Sequence, residues 1–247
     1  MTTIRLLEED VENGGKEFSE HGIQNEFVYG NNVHNAELSI RMGFLRKVYG
    51  LLSIQLLLTI AVAATFMTVE PLQLFARENV WMILVSFFVT IGVLIVLHIK
   101  RKDHPINLIL LTVFTVTQSY TVAVVVSNFD TTIVLEALFI TLTILIGLTA
   151  YTFQSKRDFS FLGYGLSVAL WVLLIGGIFQ IFLQSSALEL VSGIAGATLF
   201  SIFIIYDTHQ IMRILSPEEY ILATINIYLD IINLFLHILR ILAASKQ

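Results

Sequence analysis

The chain has 247 residues, of which 56% are hydrophobic and 13% charged, and its formal net charge is -5. A soluble domain carries about 25% charged residues, so this composition excludes an ordinary soluble protein and indicates an integral membrane protein. The sequence contains no cysteine, which excludes disulfides and thiolate metal sites.

The first predicted element is an acidic tail. Residues 1–40 carry eight Asp and Glu residues but only two basic residues, Arg5 and Lys16. Such a segment cannot bury enough apolar surface to fold alone. We therefore predict a disordered cytosolic tail at 1–40 and a transmembrane domain at 41–247. The tail has no apolar signal-peptide region, so we expect the first span to act as the insertion signal.

Seven apolar stretches follow, each near the length of about 20 residues that a spanning helix needs. They lie at 48–69, 80–99, 106–127, 132–153, 160–183, 187–211 and 220–243. The prolines, Pro71, Pro105 and Pro217, all fall in connectors, where a missing backbone N–H is tolerated. The pattern predicts an all-α membrane protein with a seven-helix bundle.

The connectors alternate in basic charge. From the N-terminal tail to the connector before the seventh stretch, successive segments hold 5, 1, 3, 0, 2, 0 and 1 Lys or Arg residues. This alternation predicts a cytosolic N-terminus, because basic loops stay in the cytosol. Arg240 and Lys246 conflict with seven full spans, because the last segment would then lie on the far side. A re-entrant seventh stretch is the alternative.

The seventh stretch carries a polar stripe. Its members are Asn226, Asp230, Asn233, His237 and Arg240. At about 100° per residue, their spacing places them within roughly 90° of one helix face. A helix lying on the membrane surface is one interpretation, but it would have a wider and more cationic polar face. We predict instead that the stripe faces other helices or water, because an ionisable group facing lipid is destabilising.

Asp207 is the predicted partner of Asp230. Asp207 precedes Pro217 by ten residues and Asp230 follows it by thirteen, so an antiparallel turn at Pro217 brings both to within about 5 Å of the same depth. Two carboxyl groups in contact cannot both ionise easily, so we predict a pair that shares one proton. The alternative for Asp207 is a hydrated position at the interface, bonded to His209 or Arg213.

Other acids carry weaker signals. Glu136 and Glu189 lie near the ends of their spans and are consistent with interfacial positions. Glu218 and Glu219 follow Pro217, where the helix dipole favours acids in any case. From the residues alone, these positions are typical of helix ends rather than of a pore.

Several long motifs resemble one family of membrane proteins. They are RMGFLRKVYGLLSIQLLLT, HPINLILL, LTAYTFQSKRDFS, FIIYDTHQIM and LSPEEYILATINIYLDIINLFLHILR. These motifs resemble the Bax inhibitor motif-containing transmembrane proteins, and most of all their lifeguard branch, from about residue 27 to the C-terminus. The resemblance implies a seven-helix fold whose last helix is central, and a calcium leak from Golgi and endoplasmic reticulum stores that limits apoptosis.

The resemblance also implies roles for particular residues. Asp207 and Asp230 match the family's pH-sensing aspartate pair. A basic residue that latches onto this pair matches Lys100, Arg101 or Lys102, and we assign it to Arg101. Acids matching Glu189 and Glu218 are associated with ion conduction. We expect Asn226, Asn233 and His237 of the stripe to line the same ion pathway.

The resulting expectation is a proton-regulated calcium channel, not an enzyme. No cofactor and no nucleic-acid partner are expected, calcium is the transported ion, and the lipid bilayer and apoptosis regulators are the expected partners. An intramembrane aspartyl protease of presenilin type is the alternative, because it also pairs aspartates on its sixth and seventh helices. That class has a GxGD and a PAL motif, whereas Asp230 follows Ile227, Tyr228 and Leu229. A seven-helix receptor has no support, because the loops are short.

Overall fold

The computed structural model describes residues 38–183 and 185–246. It contains eight α-helices and one 3-10 turn over these residues. They are α1 (Leu38–Thr68), α2 (Glu70–Glu78), α3 (Met82–Lys100), α4 (Ile106–Val126), α5 (Thr131–Gln154), α6 (Leu162–Leu183), α7 (Ser186–Arg213), the 3-10 turn Pro217–Glu219 and α8 (Tyr220–Ser245). The predicted acidic tail lies outside the described residues except at 38–40.

Seven of these helices are long and apolar enough to cross a membrane. The predicted all-α fold with seven spans is therefore confirmed, and the chain is a multi-pass membrane protein. The largest difference between the predicted and observed helix bounds is at the first span, where α1 begins at Leu38 rather than near residue 48. Phe44 and Val48 lie one helical turn apart and are both buried, so this early part of α1 packs on the bundle despite its basic residues.

Helix α2 falls within a segment predicted to be a connector between the first two spans. It is a nine-residue amphipathic helix with Pro71 in its first turn, where proline is well tolerated. Ala76 is buried against the bundle, whereas Leu74 and Phe75 are exposed. Gln73 donates a hydrogen bond to the backbone oxygen of Ser127, which ties α2 to the connector after α4.

The last helix, α8, lies at the centre of the bundle. It packs against α1, α4, α5 and α7, and many of its side chains are buried, including Tyr228 and Leu234 at 0% exposure. It is a continuous helix of 26 residues, about 39 Å long at 1.5 Å per residue. The predicted central position of the last helix is confirmed. The alternative of a re-entrant seventh stretch does not fit, because α8 is an unbroken helix.

Helices α3 and α6 are peripheral. Helix α3 packs chiefly on α4, and α6 packs chiefly on α7. Most of their large apolar side chains are exposed, as Phe88 and Trp171 illustrate, and they face lipid in a membrane. Because α6 packs so little on α8, an opening remains between these two helices.

Helix α7 approaches α8 closely where α7 carries small residues. The segment SGIAGA at 192–197 supplies Gly193 and Gly196, which are buried against Ile241 and the ring of His237. A Cβ atom at Gly196 would overlap this ring. Small residues at such spacing allow close helix contact in lipid, so this stripe packs the last two helices together.

Candidate functional site: a polar cavity beside the aspartate pair

A cavity of about 700 Å³ lies between α6, α7 and α8. We call it the aspartate cavity. Leu170, Leu173, Leu174 and Ile178 of α6 contribute to its apolar wall. Its polar lining is Ser192, Tyr206, Asp207, Asn226, Asp230, Asn233, His237 and Arg240. The polar stripe predicted on the last helix therefore lines a cavity between helices, as expected, with Arg240 at its exposed end.

Asp207 and Asp230 meet in this cavity. Their side chains are within hydrogen-bonding reach of each other, and the residues are only 7% and 5% exposed. The oxygen Oδ2 of Asp230 has no hydrogen-bond partner in the described part of the chain. Because two carboxylates repel each other, a hydrogen bond between them requires a proton on one. The two acids thus lie together, as their distances from Pro217 predicted, and the shared proton stays a prediction.

The turn between α7 and α8 sets the depth at which the two acids meet. Ser216 caps the 3-10 turn, and its hydroxyl accepts a hydrogen bond from the backbone N–H of Glu218. The Glu219 side chain in turn accepts from the backbone N–H of Ser216, which completes a capping box. Pro217 follows the cap at the first position of the turn. This local sequence fixes the antiparallel alignment of the two helices.

The cavity is closed at the end nearest this turn. Ile211 and Ile221 lie between the aspartates and the turn, and both are completely buried. Thr208, one turn of α7 closer to the aspartates, is also completely buried. In the opposite direction the cavity follows α8 from Asp230 to Arg240, about 15 Å at 1.5 Å per residue. The acids thus lie at the closed end of a polar cavity.

His237 lies farther along the cavity and is fixed by α7. Its ring stacks on Phe200, with ring centroids 5.6 Å apart, and Gly196 leaves room for the ring. Its Nδ1 atom has no hydrogen-bond partner in the described chain. Asn233 donates from Nδ2 to the backbone oxygen of Leu229 at 2.8 Å, which leaves its amide oxygen available to a cation.

The basic residues of the connector between α3 and α4 form ion pairs with Glu218 and Glu219 rather than with the aspartate pair. Arg101 lies 3.3 Å from a carboxylate oxygen of Glu219, and Lys102 lies 3.1 Å from one of Glu218. These ion pairs join the connector to the turn before α8. Arg101 and Glu218 do not line the aspartate cavity, because the turn holds the basic connector at the end of the bundle. The predicted roles of both residues stay predictions.

Glu189 also lies outside the lining of the aspartate cavity. It is in the first turn of α7 and partly exposed, as its interfacial interpretation suggested. Glu136 pairs with Lys246 at 2.9 Å, so the end of α8 lies beside the beginning of α5. The predicted part of Glu189 in conduction stays a prediction.

His209 and Arg213 do not serve as the partners of Asp207. His209 lies 3.5 Å from Asp158, and Arg213 donates to the backbone oxygen of Ser155 at 3.2 Å. Hydrogen bonds from the hydroxyl and backbone N–H of Ser160 hold the pKa of Asp158 below its ordinary value. The interfacial alternative for Asp207 is therefore wrong, since these groups are paired with the connector before α6.

The polar lining of the cavity includes residues that were not among the predicted site residues, namely Ser192, Tyr206 and Arg240. Gly196, which lies against the ring of His237, was not among them either. Arg240 was a member of the predicted polar stripe, and this position on the helix would have been sufficient to include it among the residues of the ion pathway. Tyr206 precedes Asp207 but offers no polar pattern of its own. The contact of Gly196 with His237 depends on how α7 and α8 face each other, which the sequence does not give.

The comparison with known families covers nearly the whole helical bundle. The profile of the family described as inhibitor of apoptosis-promoting Bax1 (Bax1-I) matches residues 41–247. The chain belongs to this family. The Bax1-I match thus includes the whole of α2 to α8 and nearly all of α1, and both aspartates of the cavity lie within it.

Individual relatives are similar over most of their length. The chain is 48% identical to the Golgi anti-apoptotic protein of Vaccinia virus (strain Lister), over 91% of this chain and 95% of the relative. It is 47% identical to protein lifeguard 4 of Mus musculus, over 91% and 94% of the two chains. It is 38% identical to Bax inhibitor 1 of Schizosaccharomyces pombe, over 85% and 79%. These relatives agree with the resemblance found in the motifs.

Proposed function

We propose that this protein is a proton-regulated calcium leak channel of intracellular membranes that lowers store calcium and thereby inhibits apoptosis. The observation that carries the proposal is the contact between Asp207 and Asp230 at the closed end of the aspartate cavity. A buried carboxyl pair is rare inside a membrane bundle, and such groups generally mark ion or proton pathways.

The pair supports control by protons. When Asp207 and Asp230 share one proton, they hold together the two helices on which they lie. Loss of that proton leaves two carboxylates in contact, and their repulsion favours separation of α7 from α8. Because this end of the cavity is closed by Ile211 and Ile221, movement of these helices is a direct way to open a path.

The composition of the cavity supports a cation as the transported species. Calcium prefers oxygen ligands such as carboxylates and amide carbonyls, which Asp207, Asp230, Asn226 and Asn233 provide. Among residues 38–183 and 185–246, no group of three or more His, Asp or Glu side chains is arranged to hold a metal ion. Weak binding suits conduction, because an ion must leave as readily as it enters.

The ion pairs between the connector after α3 and the turn before α8 support a calcium leak that is small rather than freely open. Arg101 with Glu219 and Lys102 with Glu218 connect the segment after α3 to the turn before α8. We infer that these contacts restrain the turn and so disfavour separation of α7 from α8. By the alternation of basic connectors, this end and the N-terminus face the cytosol.

The names of the relatives support the cellular part of the proposal. One relative is named a Golgi anti-apoptotic protein and another Bax inhibitor 1. We therefore propose residence in the Golgi and the endoplasmic reticulum, with inhibition of apoptosis as the result of reduced calcium release. Apoptosis regulators are the proposed protein partners.

An aspartyl protease is the less favoured proposal. Proteolysis needs an extended peptide and a water molecule beside the acids. Asp230 lies in the middle of an unbroken helix, between the buried residues Tyr228 and Ile231. The proposal that the protein is not an enzyme rests on this helical surrounding of the acid.

Calcium flux from liposomes that contain the purified protein tests the proposal. We expect flux above that of protein-free liposomes, with a dependence on pH between about 5 and 8, where an isolated carboxylate stays ionised. A transmembrane peptide substrate added to the same preparation should remain intact. Absence of flux at every pH, or cleavage of the peptide, would reject the channel.

A further inference from the structure

A second opening lies on the other side of α8. It is the gap between α1 and α5, which both pack on α8, and it has a volume of about 180 Å³. We call it the apolar groove. Ile60 on one edge is 39% exposed and Leu135 on the other is 59% exposed. The groove therefore opens sideways to the outside of the bundle, where the bilayer lies.

The groove has the depth of one membrane leaflet. Along α5 its lining runs from Thr131, the first residue of that helix, to Leu142, about 17 Å at 1.5 Å per residue. Along α1 it runs from Leu56 to the last residue, Thr68. Half of a hydrocarbon core about 30 Å thick is about 15 Å. The groove thus begins at the helix ends on one face and stops near the middle of the membrane.

The lining of the apolar groove has few free hydrogen-bonding groups for water. Ile231, Ile232 and Phe235 of α8 lie along the groove. The hydroxyl of Thr59 is already bonded to Ser119 and Tyr228, and the other threonines with resolved bonds donate to their own helices. An apolar cavity of this kind stays dry. Hydrocarbon is the medium that can fill it.

We propose that the apolar groove binds one acyl chain of a phospholipid from the leaflet at which α1 ends and α5 begins. The headgroup lies beside Thr68 and Thr131, at the membrane surface. The chain extends toward Leu142 and contacts the side of α8 that bears Ile231 and Ile232. This site is separate from the aspartate cavity, and the proposal does not depend on calcium transport.

Two alanines of α1 provide a matched test. Ala63 lines the groove and is partly buried, whereas Ala61 is exposed and does not line it. Ala63→Phe should fill the groove, and Ala61→Phe adds the same ring to another side of the helix. The full chain is reconstituted in phosphatidylcholine vesicles, extracted in mild detergent and weighed by native mass spectrometry.

We expect wild type and Ala61→Phe to retain one phosphatidylcholine, and Ala63→Phe to show roughly tenfold lower occupancy, which corresponds to about 1.4 kcal/mol of binding free energy. Equal retention by all three proteins, or no retention by wild type, would overturn the proposal. So would replacement of the bound phospholipid by sterol when the vesicles also contain cholesterol.

A second measurement needs no substitution. Phosphatidylcholine with a photoreactive group in its acyl chain should label wild-type peptides that contain Leu138 and Phe235 above those from the lipid-facing side of α3, around Phe88. Labelling of α3 at the same level as the groove would indicate ordinary bilayer contact and reject a binding site. This result stands even if Ala63→Phe fails to fold.

Discussion

The two polar regions of α8 differ in how completely their hydrogen bonds are made. On one side, the hydroxyl of Tyr228 is 2.8 Å from that of Thr59, which is 3.0 Å from that of Ser119. These residues are buried and join α1, α4 and α8. On the other side, Oδ2 of Asp230 and Nδ1 of His237 have no partners in the described chain.

This contrast separates structural polar groups from candidate functional ones. A satisfied cluster holds helices together, and its members need no ligand. Unsatisfied groups beside a cavity are costly to stability unless water or an ion reaches them. We therefore expect substitutions near Tyr228 to change stability and substitutions near Asp230 to change transport.

The largest expected effect is on the pH dependence of transport. Asp207→Asn and Asp230→Asn each remove one titrating carboxyl and its repulsion, so each should fold but lose most of the pH dependence of calcium flux. The double variant should add little, because residues in contact act as a coupled unit. Flux is measured between about pH 5 and 8, where an isolated carboxylate stays ionised. Folded single variants with the wild-type profile would exclude the paired sensor.

The next effect is on the packing that fixes His237. Gly196→Ala places a methyl group against the imidazole ring, and overpacking of this kind costs about 1–3 kcal/mol of stability. Gly147→Ala is the control, because a Cβ there meets nothing within 4 Å. Thermal unfolding in detergent should show a lower midpoint for Gly196→Ala alone. An unchanged midpoint would show that His237 moves aside freely.

A smaller effect is expected on the satisfied side of α8. Tyr228→Phe removes one buried hydrogen bond, which contributes about 0.5–1.5 kcal/mol. Thr59 keeps its contacts with Ser119 and the backbone of Gln55. Unfolding stability should fall while the pH profile of flux stays as in wild type, and Tyr164→Phe, at a 90% exposed position, should change neither. A shifted pH profile for Tyr228→Phe would remove the distinction between the two sides.

The smallest effect is expected at the end of the bundle. Surface ion pairs contribute about 0–1 kcal/mol, and the Arg101 pair is less exposed than the Lys102 pair. Arg101→Gln should therefore lower stability slightly more than Lys102→Gln. If the pairs restrain the turn, Arg101→Gln should also raise calcium flux at constant pH. Lower flux in this folded variant would argue against a restraint.

The sequence was sufficient to predict the spans and the aspartate pair, because both depend on local regularities. Hydropathy sets the length of each span, and the distances of Asp207 and Asp230 from Pro217 set their common depth. The partners of Arg101 could not be predicted, because its choice between the aspartates and Glu219 depends on how the connectors fold over the bundle. Tyr228 lies outside the predicted polar stripe, and its hydrogen-bonded cluster could not be predicted because Thr59 and Ser119 come from two other helices.

The central position of α8 has a consequence for biogenesis. This helix follows all the others in the chain, yet α1, α4, α5 and α7 pack on it. During translation, the earlier helices therefore enter the membrane before the element that holds them together exists. Their contacts with α8 can form only after α8 has entered the membrane. Final packing of these helices around α8 thus follows the insertion of α8 itself.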